Sequence, residues 1–328
     1  MKEDFKMKKG FKLFDYSKPG KGVKKGETDY SFGGFFKLLK RKFFDLSKAN
    51  FLWIVVNFPL FFGFVALSGN FDIPFSTPAD PLYPIVDGVG KFVDTPAFTA
   101  LWGVLGKNVE MTYAGPIARV LYGLTALAVL TFGPANAGMA YVIRNHARAE
   151  YVDMPADFFS AIKKNFWQAL GLGIFDIVFS AIVVYDVIFF RIQAEAGFFY
   201  SMIYFFSIFL ALVWVVMRFY MYQLLVTFKL SNFKIFKNSF IFAIIGMKHN
   251  IVGLIGVALT ILINVLIYMY FLPLGGLLPF FITVALVTFI STYASYPNIK
   301  KIMIDPYYKS SDYVKKEPDE PSVFTDVG

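Results

Sequence analysis

Six apolar runs, each close to the length that crosses a bilayer, constrain this chain more than any other feature. They are read as Phe51–Leu67, Ile117–Val142, Phe166–Phe190, Phe198–Gln223, Ile251–Phe271 and Gly275–Tyr293. A hydrocarbon core about 30 Å thick needs about 20 apolar residues in an α-helix, the one single-segment structure that satisfies its own backbone there. Only 17% of the residues are charged and 57% are hydrophobic, against about 25% charged in soluble domains. The expected fold is therefore an all-α membrane protein, a bundle of about six transmembrane helices spanning residues 50–299.

The polar segments set the orientation. All but four of the 32 Lys and Arg residues lie in residues 1–49, 144–164, 218–248 and beyond 299. The exceptions are Lys91, Lys107, Arg119 and Arg191. The positive-inside rule then puts both termini in the cytoplasm, with an external loop at residues 68–116 and a cytoplasmic tail at residues 300–328. The same distribution assigns the net charge of +9 to a membrane face and excludes nucleic acid as a partner. No short apolar stretch with a small-residue cleavage site precedes the first run, so that run is expected to be retained.

Residues 1–30 lack apolar periodicity and are expected to be a flexible basic tail. In residues 31–49, Phe32, Phe35, Phe36, Leu39, Phe43 and Leu46 recur at helical spacing, with Lys37, Lys40, Arg41 and Lys48 mostly on other faces. That pattern predicts an amphipathic interfacial helix among anionic headgroups, or one packed beneath the bundle. The external loop carries Pro74, Pro78, Pro81, Pro84 and Pro96, Asp72, Asp80, Asp87, Asp94 and Glu110, and an apolar patch, FTALWGVLG, placed either on the membrane or over the bundle. Leu272-Pro273-Leu274 is expected to be the tight turn of a final hairpin.

Within the second run, Gly133-Pro134-Ala135-Asn136-Ala137-Gly138 combines a helix breaker with small residues. Proline frees the carbonyl one turn earlier and kinks a helix, while small residues four apart admit another helix closely. Gly133, Pro134, Asn136, Ala137 and Gly138 are thus candidate packing or hinge residues. Arg144, His146 and Arg148 follow, with Lys163 and Lys164 beyond them, and are expected to form a cytoplasmic clamp on lipid or a partner.

Two polar residues fall within the apolar runs. Asp176 lies near mid-bilayer, where a carboxylate costs at least ~2.5 kcal/mol and marks either a pathway or a hydrogen bond to Ser180. Asn264 is expected to join helices. The segments Phe159–Phe166 and Phe233–Phe240 echo one another, as in a parallel internal repeat.

There are no cysteines and two histidines, so no thiolate chemistry is available and no metal or cofactor is expected. No GxxxxGK[ST], HExxH or GxSxG motif is present, and no enzymatic activity is expected.

The stretch GPANAGMAYVIRNHAR (Gly133–Arg148), followed by Asp157-Phe158-Phe159 and KNFWQAL (Lys164–Leu170), resembles the YesL family of bacterial integral membrane proteins of unknown function. Phe228-Lys229-Leu230-Ser231 with KNSFIFAI (Lys237–Ile244) resembles the family's second inner-loop motif. The likeness covers about residues 35–300 and is most specific at residues 133–170. In short family members the GPA segment follows the first run closely, whereas here the Pro-rich loop and a further span intervene. The resemblance implies a bacterial cell-membrane protein and, through the family's association with carbohydrate ABC-transport genes, an accessory role in sugar uptake. Its implied partners are an ABC permease or a second copy of the chain. The residues alone also admit a small-solute transporter built on Pro134 and Asp176.

Overall fold

The computed structural model describes residues 30–92 and 95–306. Residues 1–29, Asp94 and the tail beyond residue 306 lie outside the described residues. The helices are α1 (Phe32–Val56), α2 (Pro59–Leu67), α3 (Tyr83–Gly90), α4 (Pro96–Leu105), α5 (Pro116–Thr125), α6 (Ala128–Ala147) and α7 (Met154–Gln193). They continue as α8 (Phe198–Thr227), α9 (Asn232–Ile245), α10 (Met247–Tyr270), α11 (Leu272–Leu278) and α12 (Val284–Ile299). Two strands, β1 (Asp72–Pro78) and β2 (Asn108–Ala114), pair antiparallel.

Among the described residues, five stretches are long and apolar enough to cross a membrane: Pro116–Ala147, Met154–Ala196, Phe198–Thr227, Met247–Tyr270 and Leu272–Ile304. A sixth exists if α1 and α2, bent by 76°, count as one broken span. Their exposed surface is apolar, with Phe205 66%, Val252 63% and Leu277 63% exposed. That surface suits lipid and would be a liability in water.

Several boundaries differ from those the sequence predicts. The amphipathic segment and the start of the first run form one helix, α1, and the chain turns only at Asn57-Phe58. Pro59 opens α2 without an amide to continue the ladder, and the Phe58 N–H reaches the Val55 carbonyl weakly at 3.4 Å. Leu272-Pro273-Leu274 is not a turn. Phe271 alone separates two helices, and Pro273 sits in the first turn of α11, where a missing N–H costs nothing. The last helix runs through wide turns at Pro279–Thr283 and Lys300–Ile304, so the expected tail begins later than residue 300.

The external segment adds a two-stranded ribbon to the helical fold. Ile73, Phe75 and Thr77 face Tyr113, Met111 and Val109 across the ribbon, an alternation that the prolines obscure in the sequence. Pro74 and Pro78 are tolerated because a two-stranded ribbon has only edges.

The residues form two compact units. Unit 1 takes residues up to Asn50, Gly138–Ala161 and residues from Leu212 on; unit 2 takes Phe51–Ala137 and Ile162–Ala211. In unit 1, α1 lies on α12: Phe35 stacks on Phe289 at 5.4 Å, and the Tyr293 hydroxyl donates to the Ser31 carbonyl at 2.9 Å. Leu38, Leu46 and Ala49 are buried there, while Phe32, Phe36 and Phe44 remain exposed. The helix thus packs through a stripe displaced from the one its phenylalanines predict. In unit 2, α2 lies along α5, with Gly63 against Thr125.

Candidate functional site

Unit 2 contains a seam of backbone on backbone. A Cβ on Gly133 would run into the carbonyl oxygen of Ala169 and lie 2.9 Å from the Cα of Gly173; one on Gly173 would strike Gly133 in turn. Ala135, Ala137 and Ala169 are fully buried. Small residues at these positions on α6 and α7 let two helices approach closely enough for dispersion contacts along the main chain.

Helix α6 continues through Pro134 as one element from Ala128 to Ala147. The irregularity lies upstream. Amides at Leu127, Val129 and Leu130 bond to carbonyls three residues back, a tightened turn that ends at Leu130, whose carbonyl Pro134 leaves without its usual amide. Asn136 accepts a 2.9 Å bond from the Trp53 indole, and the Thr131 hydroxyl donates to Asn57 at 3.1 Å. Both bonds tie α6 to the chain around the α1–α2 bend rather than to α7.

The basic end of α6 does something other than clamp lipid. Arg144 and His146 are 7% and 0% exposed. The Arg144 guanidinium donates at 2.9 Å to the Val226 carbonyl and to the Thr227 hydroxyl at the C-terminus of α8, and twice to Asn145. It also lies 4.9 Å from the Tyr141 ring centroid. A cation there meets the negative ends of two helix dipoles, α6 and α8, which accounts for a buried charge without a carboxylate within salt-bridge distance among the described residues. Arg148 remains partly exposed, 2.7 Å from Glu150 and 5.9 Å from the Tyr296 ring. Lys163 and Lys164 are exposed on α7. His146 carries no hydrogen bond on either ring nitrogen, and the charges acting on it are Lys42 and Asp45 of α1.

The most extensive polar network in unit 1 was not legible as a site. Tyr220 of α8 donates to Asn250 of α10 at 2.5 Å and accepts from Asn298 of α12 at 2.9 Å. Asn250 in turn donates at 3.0 Å to the Ala243 carbonyl and to the Phe242 carbonyl, which also accepts the Gly246 amide where α9 ends. Gln223 donates to Ser295 at 2.6 Å and leaves its carbonyl oxygen without a partner. Asn50 inserts into the wide turn before α12, donating to the Pro279 and Phe280 carbonyls and accepting from the Ala285 amide. The only trace in sequence is an amide or phenol inside an apolar run.

The two intramembrane residues singled out earlier are both engaged. Asp176, fully buried, accepts a 3.3 Å bond from Ser180. Asn264 accepts from Thr283 at 2.8 Å and donates to the Thr260 carbonyl, joining α10 to the chain before α12. No group of three His, Cys, Asp or Glu side chains with metal-binding geometry occurs among the described residues. The echoing segments differ in setting: Phe159–Phe166 lies within the 40-residue α7, Phe233–Phe240 within the separate 14-residue α9.

The chain is thus a multi-pass membrane protein whose polar interior joins helices. Residues 46–187 match a protein family described as of unknown function, DUF624. No curated protein and no solved structure matches the chain.

Proposed function

We propose that this protein is a non-catalytic accessory or assembly subunit of the bacterial cell membrane, linked to carbohydrate uptake. One observation carries the non-catalytic reading: side-chain hydrogen bonds within the spans tie one helix to another. Asn136–Trp53, Asn264–Thr283, Asn50 with the α12 backbone and Tyr220–Asn250–Asn298 do this, while Asp176 is bonded to Ser180 one turn on in its own helix. A catalytic centre needs groups aimed at a substrate instead. The link to sugar uptake rests on the resemblance of GPANAGMAYVIRNHAR and KNFWQAL to the YesL family.

The topology we infer counts α1–α2 as a span. Residues 68–116 then face outward with only Lys91 and Lys107 as cations, and both termini face the cytoplasm with most Lys and Arg. If α1–α2 re-entered instead, the Arg144–Lys164 segment would move outside, against that bias.

Solute transport is the second reading. His146, with both nitrogens unpaired, and the open oxygen of Gln223 favour it, because buried unsatisfied groups mark places where water or solute fits. The test is purification in mild detergent at native expression, with mass spectrometry of what co-purifies. Stoichiometric recovery of a sugar-transporter permease supports the accessory reading. A self-contained particle that moves solute in liposomes overturns it.

A further inference from the structure

We propose that the insertion between α2 and α5, residues 68–115, is an amphipathic platform that lies on the bilayer surface. The inference is independent of the accessory role above, since it needs only that the neighbouring helices be in the membrane.

The ribbon has two unlike faces. Directly opposed residues of an antiparallel pair share a face, so Ile73–Tyr113, Phe75–Met111 and Thr77–Val109 form one side. Pro74–Thr112, Ser76–Glu110 and Pro78–Asn108 form the other. The first side is almost wholly apolar, yet Ile73, Phe75, Met111 and Tyr113 are 38–49% exposed. No described residue covers it. A two-stranded ribbon without a second layer is marginal in water.

Helix α4 repeats the pattern. Its sequence, PAFTALWGVL, has no charged residue, none of its residues is buried, and Val104 is 68% exposed. A helix apolar on every side belongs in an apolar medium. At ten residues it rises about 15 Å, half a hydrocarbon core, so it does not span. It packs against α3, through Tyr83–Trp102 at 5.2 Å and Phe98 over Gly90. Helix α3 adds Leu82, Ile85 and Val89, and the turn after it Phe92 at 89% exposure, to the uncovered surface.

What covers these faces follows from their tethers. The insertion leaves α2 after Leu67, 73% exposed, and re-enters at α5 beside Ile117, 57% exposed. Both are lipid-facing residues, so the apolar surface of the ribbon is continuous in the chain with surface that already meets lipid. The β1–β2 ribbon is about 20 Å long, too short to carry α3 and α4 beyond the bilayer surface if it lies flat. Trp102, Tyr83 and Tyr113 are the ring types enriched at membrane interfaces. Asp72, Ser76, Glu110 and Thr112 then face water from the opposite side of the ribbon.

The chain has no cysteine, so single cysteines can be placed in the full-length protein without background. Spin labels at Phe75→Cys, Met111→Cys and Val104→Cys, against Ser76→Cys and Thr112→Cys, would be read in nanodiscs. The readout is accessibility to oxygen, which partitions into lipid, and to a water-soluble nickel chelate. The expected result is a preference for oxygen at 75, 104 and 111 that reverses at 76 and 112. Chelate access at all five sites overturns the proposal. Shielding of 75, 104 and 111 from both reagents also overturns it, and shows a protein on that face.

Discussion

The two units of the molecule are held together by different means. Of the twelve largest fully buried side chains, all but Leu172 belong to unit 1, among them Tyr220, Phe158, Phe289 and His146. Unit 1 joins its helices through side-chain amides, hydroxyls and one guanidinium. Unit 2 buries Ala66, Ala118, Ala135, Ala137 and Ala169 and brings α6 onto α7 at Gly133 and Gly173, with the Trp53–Asn136 and Thr131–Asn57 bonds as a smaller polar contribution. Lipid explains why both solutions exist. Helices in a bilayer gain nothing from leaving water, so they associate either by close backbone approach or by hydrogen bonds across the interface. The first tolerates no added atom; the second tolerates substitution at the loss of one bond. The two units should therefore respond differently to substitution.

The largest effect is expected in the seam. Gly133→Val places a branched side chain on the Ala169 carbonyl, and since backbone cannot move aside as a flexible side chain does, the loss should be about 3 kcal/mol or more. Thermal stability by size exclusion in detergent would check it. Retention of wild-type stability would mean that α6 and α7 are further apart than the seam requires. Next comes Asn50→Leu, similar in volume but without an amide. It strands the Pro279 and Phe280 carbonyls and the Ala285 amide, and about 2 kcal/mol of stability should go with them. Proteolysis at residues 279–285 should rise in step, because that turn loses its Asn50 bonds and keeps the Thr283–Asn264 bond.

The different legibility of the two units follows from the same contrast. The seam was readable because its signal is local: Gly133 and Ala137 lie four apart in one apolar run, and small residues at that spacing have few other uses. The apolar runs were readable for the same reason, since a span is set by the composition of one segment. Arg144 was not, because the carbonyl it caps is 82 residues away on α8. Asn50 bonds to an amide 235 residues away, and nothing near either residue marks the pairing. The strands were hidden by their prolines, which ordinarily argue against a strand and are admitted here only because each strand has one neighbour. The bend at Asn57 had a local signal in Asn-Phe-Pro, masked by the expectation of a straight span.

Unit 1's network offers a gentler test. Tyr220→Phe keeps the ring that stacks on Phe242 at 5.1 Å and removes the hydroxyl shared by Asn250 and Asn298. Interhelical bonds in membranes average about 0.6 kcal/mol and reach about 1.7, and a hydroxyl serving two partners should fall near the upper value, about 1.5 kcal/mol. The double variant Tyr220→Phe/Asn250→Ala should cost less than the sum of its parts, since both members break one bond. Additive losses would mean that Tyr220 and Asn250 do not interact in the folded protein.

The smallest effect is expected at Asp176. Asp176→Asn retains an oxygen that accepts from Ser180 and has the same shape, so stability should stay within about 0.6 kcal/mol of wild type. That near-silence is informative because a carboxylate at this depth has two explanations. If it serves only as the acceptor for Ser180, the amide replaces it in both folding and partner recovery. If it serves proton or cation movement, the amide leaves the fold intact and abolishes flux, since it neither ionises nor releases a proton. Stability and liposome flux measured on the same preparation separate the two. Unchanged stability with unchanged partner recovery and no flux in either protein places Asp176 with the packing residues of unit 2, where charge itself is not used. Loss of flux in the variant alone would make unit 2 the seat of transport.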